Sequence, residues 1–381
     1  MAIPLKYSLR SLLTRRVSTA LITLGIVLVV FIFISMIATA QSMKRAILQT
    51  GSEHNIIIKN KAVPTVELGL LSEDVLNVIK YLPGIARNTR NLPLVSPELY
   101  NRKFIKFGES GKVIWLRIRG ITPAAFEVSP QVTLIRGRLP RRGEVMIGKE
   151  VAVKFGKTFS IGDTLQVGKD NHRITGIFSS GGSTFEGEIW MDKEDMKADF
   201  DMFGISQVTV RLESPSLKDA FIRDINNNLR LPAADAIGEK EYFASEAQSS
   251  TFVLVMGIII AVLMALGAIF GGMNLMYMTI AARTREIGTL RALGFSRPHI
   301  LASLMAESLI IALLGGIAGG LLSIIVKGYS LELFEVAFSI TIAPATLLLG
   351  VLVSLLIGIG GGLLPGMNAS RMKIVEALRH V

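Results

Sequence analysis

Two glycine-rich stretches contain residue types that could bind phosphate. Residues 143–150 read GEVMIGKE and have the Gly-x4-Gly-Lys spacing of a phosphate-binding loop, but Glu150 stands where Ser or Thr would hold magnesium. Residues 162–170, GDTLQVGKD, have one residue too many between the glycines and an aspartate after the lysine. We interpret both stretches as hairpin turns between strands, and the sequence predicts no nucleotide site in them.

Histidine and serine patterns give no other active site. The four histidines lie far apart in the sequence and do not have the spacing of zinc ligands. No Gly-x-Ser-x-Gly elbow is present, and no two acidic residues form a recognisable pair. We therefore predict no catalytic residues and no metal site, with an unrecognised enzyme as the alternative.

Glu307 is unusual because it lies within an apolar stretch. An ionisable group inside a membrane span costs roughly 2.5–3.5 kcal/mol on insertion scales and usually faces protein or water. One interpretation is a relay of motion or a proton site. The other, which we favour, is a carboxylate near the membrane interface that pairs with Arg297 or another basic residue.

The stretch AARTREIGTLRALGFSRPHI, residues 281–300, separates two apolar runs. Its first part, 281–293, is predicted to be a helix that ends at Gly294 in a left-handed conformation, and Ser296 and Pro298 suit the first turn of the next helix. One helical face, bordered by Glu286, carries Arg283, Ile287, Leu290 and Gly294. A ridge that mixes charged and apolar groups suits a groove on another protein better than plain lipid.

Four stretches are long and apolar enough to cross a membrane. They lie near residues 17–40, 250–279, 300–326 and 344–364, in a chain that is 50% hydrophobic. A cleaved signal peptide is the alternative for the first stretch, but its apolar region exceeds the roughly 7–15 residues of a signal sequence. We predict four transmembrane helices.

The basic residues predict the orientation of these helices. Segments 1–16, 281–298 and 365–381 together carry eleven basic residues against Glu286 and Glu376, whereas the short loop 327–343 carries Lys327 against two glutamates. The three basic segments, and both termini, are therefore expected in the cytoplasm. This asymmetry explains most of the net charge of +11, so no nucleic-acid partner is predicted.

Residues 41–247 are then outside the cytoplasm. Alternating patterns at 54–60, 112–121 and 207–213 predict strands, and short strands between 121 and 200 predict a strand-rich insertion. The fold class is therefore an α-helical membrane protein with four transmembrane helices and a large α+β extracytoplasmic domain inserted between helices 1 and 2. The proline-free run 239–282 exceeds a bilayer core in length and predicts a stalk on the outer side.

Two groups of side chains leave alternatives open. Small residues recur at four-residue spacing, which lets helices approach closely either within the chain or in a homodimer; the pairs are Gly267 and Gly271, Gly315 and Gly319, and Gly358 and Gly362. In the outer segment, Phe104, Phe107 and Trp115 could line a pocket or pack in a core.

Three quoted segments resemble one family. ARTREIGTLRALGFSR is similar to the cytoplasmic coupling helix of the MacB/FtsX-type ABC transporter permeases, including the DevC- and LolC-related members of this type VII group. LKYSLRSLLTRRVSTALITLGI resembles their N-terminal amphipathic segment and first span, and PGMNASRMKIVEALRHV resembles their C-terminal tail. The order of one span, a large outer domain and three further spans also fits.

The resemblance implies a non-catalytic permease subunit of the inner membrane that transmits ATP-driven motion to the outer domain. ATP and Mg²⁺ would be bound by a separate ATPase subunit, since no Walker sequence precedes the first span. A second permease copy and, for efflux or secretion, a periplasmic adaptor and an outer-membrane channel are the other expected partners besides membrane lipid. Alternatives are an FtsX-like regulator of a cell-wall hydrolase or sensor and a Lol-like lipoprotein-releasing permease. The residues that resemble the ATPase-docking helix are Arg283, Arg285, Glu286, Ile287, Leu290, Arg291 and Gly294.

Overall fold

The computed structural model describes residues 16–107, 112–155, 160–333 and 336–372. The chain forms two compact units. A helical unit contains the described residues up to Gln41 together with 251–329 and those from Ile340, and an outer unit contains 42–250 and 330–339. The predicted amphipathic segment 1–16 and most of the predicted tail 365–381 lie outside the described residues.

Four long helices have the length and composition of membrane spans. They are α1 (Arg16–Gln49), α8 (Gln248–Ala282), α10 (Arg297–Ser323) and α11 (Pro344–Arg371). At 1.5 Å per residue α1 is about 50 Å long, against a bilayer core of about 30 Å. The last residues of α1 belong to the outer unit. A predicted first span of 17–40 therefore describes only the membrane part of a longer helix.

In the described part of the inserted domain five α-helices lie between the strands, and a sixth leads back to the membrane. They are α2 (Val75–Ile79), α3 (Ala124–Val128), α4 (Lys149–Phe155), α5 (Lys193–Phe200) and α6 (Lys218–Asn226), followed by α7 (Glu239–Glu246). Ala247 separates α7 from α8, so the predicted stalk is two consecutive helices and not one. Helix α9 (Thr284–Ala292) follows α8.

One mixed sheet of ten strands forms the frame of the outer unit. Its order is β10-β1-β9-β2-β3-β8-β5-β7-β4, and β6 pairs with β7. The strands are β1 (Asn55–Asn60), β2 (Val95–Phe107), β3 (Lys112–Ile121), β4 (Thr133–Gly137), β5 (Glu144–Gly148), β6 (Thr164–Val167), β7 (Asp170–Ser179), β8 (Glu188–Asp192), β9 (Gln207–Arg211) and β10 (Ala234–Gly238). The predicted insertion 121–200 joins the same sheet, because β8 pairs with β3 in parallel.

Two apolar clusters fill the outer unit. One packs β1, β9 and β10 with α6 around Ile58, Val208 and Phe221. The other packs the inserted strands with α4 and α5 around Ile118, Ile147 and Met196, which explains the two-part character of the sequence. Burial of such side chains supplies about 25 cal/mol per Å² of apolar surface removed from water.

A short hairpin between α10 and α11 belongs to the outer unit. Its strands β11 (Ser330–Leu333) and β12 (Val336–Ser339) pair antiparallel. The sequence predicted only a short outer loop over 327–343. These strands were missed because strands of only four residues give almost no periodic signal.

Candidate functional site

Helix α9 is shaped by its two ends. Arg283 separates α9 from α8 with φ −115° and ψ 14°, so the helix predicted over 281–293 begins only at Thr284. At the other end Gly294 has φ +94°, a conformation that favours glycine, and Phe295 donates its backbone N–H to the Leu290 carbonyl over 3.2 Å. Ser296 then caps α10, with Pro298 in its first turn. The predicted cap and restart are confirmed.

A buried ion pair attaches this segment to α10. Arg283 Nη1 lies 3.0 Å and 3.1 Å from the two carboxylate oxygens of Glu307, and its Nε lies 2.8 Å from Glu286 Oε2. The Arg283 and Glu307 side chains are almost fully buried, whereas Glu286 is half exposed. Glu307 is therefore a paired carboxylate, as favoured from the sequence, but its partner is Arg283 and not Arg297. Burial, and secondarily the Glu307 charge, raises the pKa of Glu286.

The apolar side of α9 faces the chain itself. Ile287 is 4% exposed and packs in a cluster with Ile280, Ile300 and Leu304, and Leu290 lies against the same cluster. The prediction that Arg283, Ile287 and Leu290 form an outward ridge is therefore wrong. A helical wheel shows which residues share a face of α9. Which of its faces is covered depends on the neighbouring helices.

A different set of α9 residues is exposed. Arg285, Glu286 and Thr289 lie on the uncovered side of the helix, and Leu293 is 72% exposed just after it. Gly294 is exposed as well, while Arg291 is partly buried and donates a hydrogen bond to the Met372 carbonyl. The surface that a partner could contact is thus mostly polar, and Leu293 is its large apolar residue. We call Arg285, Glu286, Thr289 and Leu293 the exposed α9 face.

The glycine pairs fall into two classes. A Cβ atom on Gly319 would lie 2.8 Å from the Val27 carbonyl oxygen, and one on Gly358 would lie 2.5 Å from Ala312 Cβ. Gly315 and Gly362 are as tightly covered, by Ile26 and Ser308. In contrast, a Cβ on Gly267 or Gly271 would meet nothing within 4 Å in the described chain. Four of the six glycines therefore serve packing within this chain.

Glu150 illustrates why the phosphate-loop resemblance fails. Residues 144–148 are β5 and Lys149 begins α4, so the glycines flank a strand and enclose no loop. The interpretation of 143–150 as a hairpin turn is wrong, whereas 162–170 does form the β6–β7 hairpin. Among the described residues no group of three His, Asp or Glu side chains is close enough to hold a metal ion.

The carboxylate of Glu150 binds the β11–β12 hairpin. It accepts hydrogen bonds from Ser330 Oγ at 2.6 Å and from Ser339 Oγ at 2.8 Å. Lys154, one turn later in α4, pairs with Glu332 at 2.8 Å. The β11–β12 hairpin is thereby fixed to α4 of the outer unit.

The end of α1 and the start of α7 are joined in a similar way. Glu239 Oε2 accepts hydrogen bonds from the Ser52 backbone N–H at 2.8 Å and from Asn55 Nδ2 at 2.9 Å. Thr50 Oγ1 accepts from the Thr184 backbone N–H at 2.9 Å. Sequence reasoning missed Glu150 and Glu239, because their roles depend on partners about 180 residues away.

Family models match nearly the whole chain. Residues 19–228 match the MacB-like periplasmic core domain, and residues 258–374 match the FtsX-like permease C-terminal region.

Two relatives illustrate the similarity along the sequence. The macrolide export ATP-binding/permease protein MacB of Bdellovibrio bacteriovorus is 26% identical over 97% of this chain, which spans 60% of that relative. The uncharacterized ABC transporter permease YknZ of Bacillus subtilis is 24% identical over 99% of this chain and 98% of its own length.

Solved structures resemble parts of the fold. The extracellular domain of YknZ from Gram-positive bacteria covers 48% of this chain and all of that structure, with 19% identity and a TM-score of 0.38. The periplasmic region of MacB from Actinobacillus actinomycetemcomitans covers 50% of this chain and 92% of that structure, with 13% identity and a TM-score of 0.39.

Proposed function

Because this chain belongs to the MacB/FtsX-type family of ABC transporter permeases, we propose that it is the non-catalytic subunit that turns ATP hydrolysis by a separate ATPase subunit into movement of its outer domain. It is a multi-pass inner-membrane protein. The MacB relatives are named ATP-binding/permease proteins, whereas YknZ, matched over 98% of its length, is named a permease alone. These names support a partner that binds ATP and Mg²⁺.

One observation carries this proposal: the segments that follow α1, begin α7 and connect α10 to α11 are fixed within the outer domain by side-chain hydrogen bonds of Glu239 and Glu150. The end of α1 and the start of α7 meet at Glu239, and the β11–β12 hairpin is held by Glu150. Burial raises the pKa of Glu239 to about 7, so each of its hydrogen bonds contributes the neutral value of about 0.5–1.5 kcal/mol. A displacement of these helices would therefore be passed to the sheet and not absorbed by loose loops.

At the other end, the exposed α9 face is the docking surface for the ATPase. Arg283 fixes α9 to α10 through Glu307, and Ile287 packs it against the helical unit, so a push on this face would reach the long helices. The ATPase-contacting role is therefore assigned to Arg285, Glu286 and Leu293, while Arg283, Ile287 and Leu290 hold the helix in place. Charged contacts of this kind chiefly set register and partner choice.

The proposed output is efflux or secretion. The MacB relatives are named macrolide export proteins, which supports export as the output. In this proposal the outer domain handles the substrate, and a periplasmic adaptor and an outer-membrane channel are the further partners. A second copy of the permease would complete the assembly. The uncovered Gly267 and Gly271 on α8 offer a close-approach surface for that copy.

Co-purification tests the docking role. Arg285→Glu with Leu293→Asp should abolish co-purification of the ATPase subunit while membrane insertion is unchanged. Leu290 is avoided, because its substitution would damage the internal cluster. The matched control, Leu229→Asp with Arg230→Glu, makes the same charge changes in an exposed loop of the outer unit. Undiminished ATPase recovery with the α9 variant would refute the proposal.

Labelling tests the orientation. The chain contains no cysteine, so Leu293→Cys and Leu229→Cys each create a single exposed thiol. In intact cells a membrane-impermeant maleimide should label the second variant only, because the proposal requires α9 to lie in the cytoplasm. Labelling of Leu293→Cys from outside would contradict the orientation and the docking role together.

A further inference from the structure

One end of the outer sheet is uncovered. Among the described strands β4 pairs with β7 alone, so β4 is an edge strand. All of its residues, 133–137, are exposed. The strand at the opposite end, β10, is buried or partly buried and packs against α6 and α7. We call residues 133–142 the β4 edge, which is a surface that the sheet itself leaves without a cover.

The β4 edge is strongly basic. It reads TLIRGRLPRR, and its exposed arginines are Arg136, Arg138, Arg141 and Arg142. Residues 131–179 contain nine basic and four acidic residues, whereas the rest of the segment 41–247 contains 20 basic and 21 acidic ones. The positive charge of the outer segment is therefore concentrated around β4 and is not spread over its whole length.

Most of these arginines have no carboxylate beside them. The Arg138 guanidinium binds Glu144 through two hydrogen bonds, one of them 2.6 Å long. In the described part of the chain no carboxylate lies within ion-pair distance of Arg136, Arg141 or Arg142. Three guanidinium groups of the β4 edge can therefore pair with carboxylates of another molecule.

Hydrogen bonds fix the backbone that carries these arginines. The Arg138 N–H donates to a β7 carbonyl over 2.9 Å, and the Arg141 N–H donates to Glu144 over 2.9 Å. Gly143, just after the β4 edge, donates its N–H to Asp195 over 2.6 Å. A partner would therefore not have to order this segment on binding, and that ordering is a cost that weakens association with loose loops.

Apolar side chains lie among the arginines. Ile135 is 55% exposed, Leu139 is 46% exposed, and Leu134 is exposed as well. A phosphate polymer would pair with the guanidinium groups but leave these side chains in water. A segment that binds a lipid surface would separate apolar and basic groups more cleanly along the chain. A peptide can offer carboxylates and apolar side chains together, so it fits this surface better than either.

We propose that the β4 edge binds an acidic, extended segment of a partner protein. Carboxylates of that segment would pair with Arg136, Arg141 and Arg142, while its apolar side chains would cover Ile135 and Leu139. Arginines on an edge strand deter pairing with apolar strands of other chains, and the same charges favour a strand that bears carboxylates. Binding at this edge involves the outer unit alone and does not depend on docking of the ATPase.

Side-chain contacts should dominate this binding. Extended peptides can add to a free sheet edge through their backbone. Here a β-bulge between Leu134 and Arg136 interrupts the ladder to β7, and such a bulge also disturbs regular pairing on the outer side. The affinity should therefore depend chiefly on the charges of the peptide and of the β4 edge.

Fluorescence anisotropy of a labelled peptide tests the proposal. The full chain, in nanodiscs of zwitterionic lipid, is titrated against the peptide EVETEVE carrying an uncharged dye. The matched control is QVQTQVQ, which has the same length and apolar residues without the charges. The acidic peptide should bind saturably and about tenfold more tightly than the control. Its binding should weaken as salt rises from about 50 mM to about 500 mM, because exposed charges are screened.

Arginine variants assign the binding to the β4 edge. Arg136→Gln with Arg142→Gln should weaken binding of the acidic peptide about tenfold, which corresponds to about 1.4 kcal/mol. Arg223→Gln with Arg230→Gln makes the same change in net charge on exposed arginines of the outer unit and should leave the affinity unchanged. Leu139→Ser should weaken binding about threefold without affecting folding, since Leu139 is exposed.

The alternative occupant of the β4 edge is a phosphate-bearing molecule. Vesicles of anionic phospholipid and inorganic polyphosphate are therefore tested in separate titrations. Binding of either one without binding of the acidic peptide would overturn the proposal. Equal affinities of the two peptides, or equal effects of the two double variants, would overturn it as well.

Discussion

The contact between Arg283 and Glu307 allows a quantitative test of how α9 is held. The perturbation is a double-mutant cycle of Arg283→Gln, Glu307→Gln and the combination, with Arg297→Gln as a control on an exposed arginine. Both members of the pair are almost fully buried, and both carboxylate oxygens of Glu307 are within 3.1 Å of the same guanidinium nitrogen. The two single variants are not expected to be equivalent.

The expected asymmetry follows from Glu286. Removing the guanidinium leaves Glu307 buried near a second carboxylate, so Arg283→Gln should cost about 3–5 kcal/mol of unfolding free energy, as for other broken buried pairs. Glu307→Gln leaves Arg283 bonded to Glu286 at 2.8 Å, and an amide oxygen still accepts a hydrogen bond. Its cost should be nearer 1.5–3 kcal/mol.

The double variant buries neither charge. Its cost should be smaller than the sum of the two single costs by at least about 1 kcal/mol, which is the signature of a direct interaction. Arg297→Gln should stay within about 0.5 kcal/mol of the parent chain. Unfolding is followed by loss of helical circular dichroism as the SDS fraction of mixed micelles rises. Strictly additive costs, or a cost below about 1 kcal/mol for Arg283→Gln, would refute the buried attachment.

Three further predictions concern packing and the outer domain. Gly319→Ala should lower the unfolding free energy in the same micelle assay, because its Cβ would lie 2.8 Å from a backbone oxygen. Gly25→Ala on α1 should leave it unchanged, because its Cβ would meet nothing within 4 Å, and equal effects of the two substitutions would contradict the packing. Burial alone would raise the pKa of Glu67, but the charges of Arg117 and Arg102 outweigh it and lower that pKa. The outer domain should lose stability as the pH falls below 4.5, because the lowered pKa of Glu67 means that its ionised form stabilises the fold. Thermal unfolding of Glu67→Gln should therefore depend less on pH in this range than unfolding of the parent chain. An unaltered pH profile in this variant would contradict the role of Glu67. Glu150→Ala should increase hydrogen exchange in the β11–β12 hairpin, because two serine hydroxyls lose their acceptor; unchanged protection there would disprove the attachment.

The membrane helices could be predicted from the sequence because the signal is local. Some 20 consecutive apolar residues specify a span whatever else the chain does, and the helix cap at Gly294 follows from its neighbours alone. Individual strands such as β1 and β3 were equally visible, since alternation within a few residues indicates a half-buried strand. The joining of the insertion to the main sheet through β3 and β8 was not visible, because pairing has no local signature.

The candidate site, too, could be predicted only in part from the sequence. Residue types and spacing located the segment around α9 and the unusual carboxylate at Glu307, because a charge in an apolar stretch stands out by itself. Which face of α9 is covered, and which arginine Glu307 binds, depended on how α8, α10 and α11 pack around them. The same holds for the β4 edge, because only the strand order of the folded sheet leaves β4 at its end. Helix caps, strand alternation and the length of apolar runs depend on residues that are neighbours in the sequence. Burial and charge pairing depend on side chains that only the folded chain brings together.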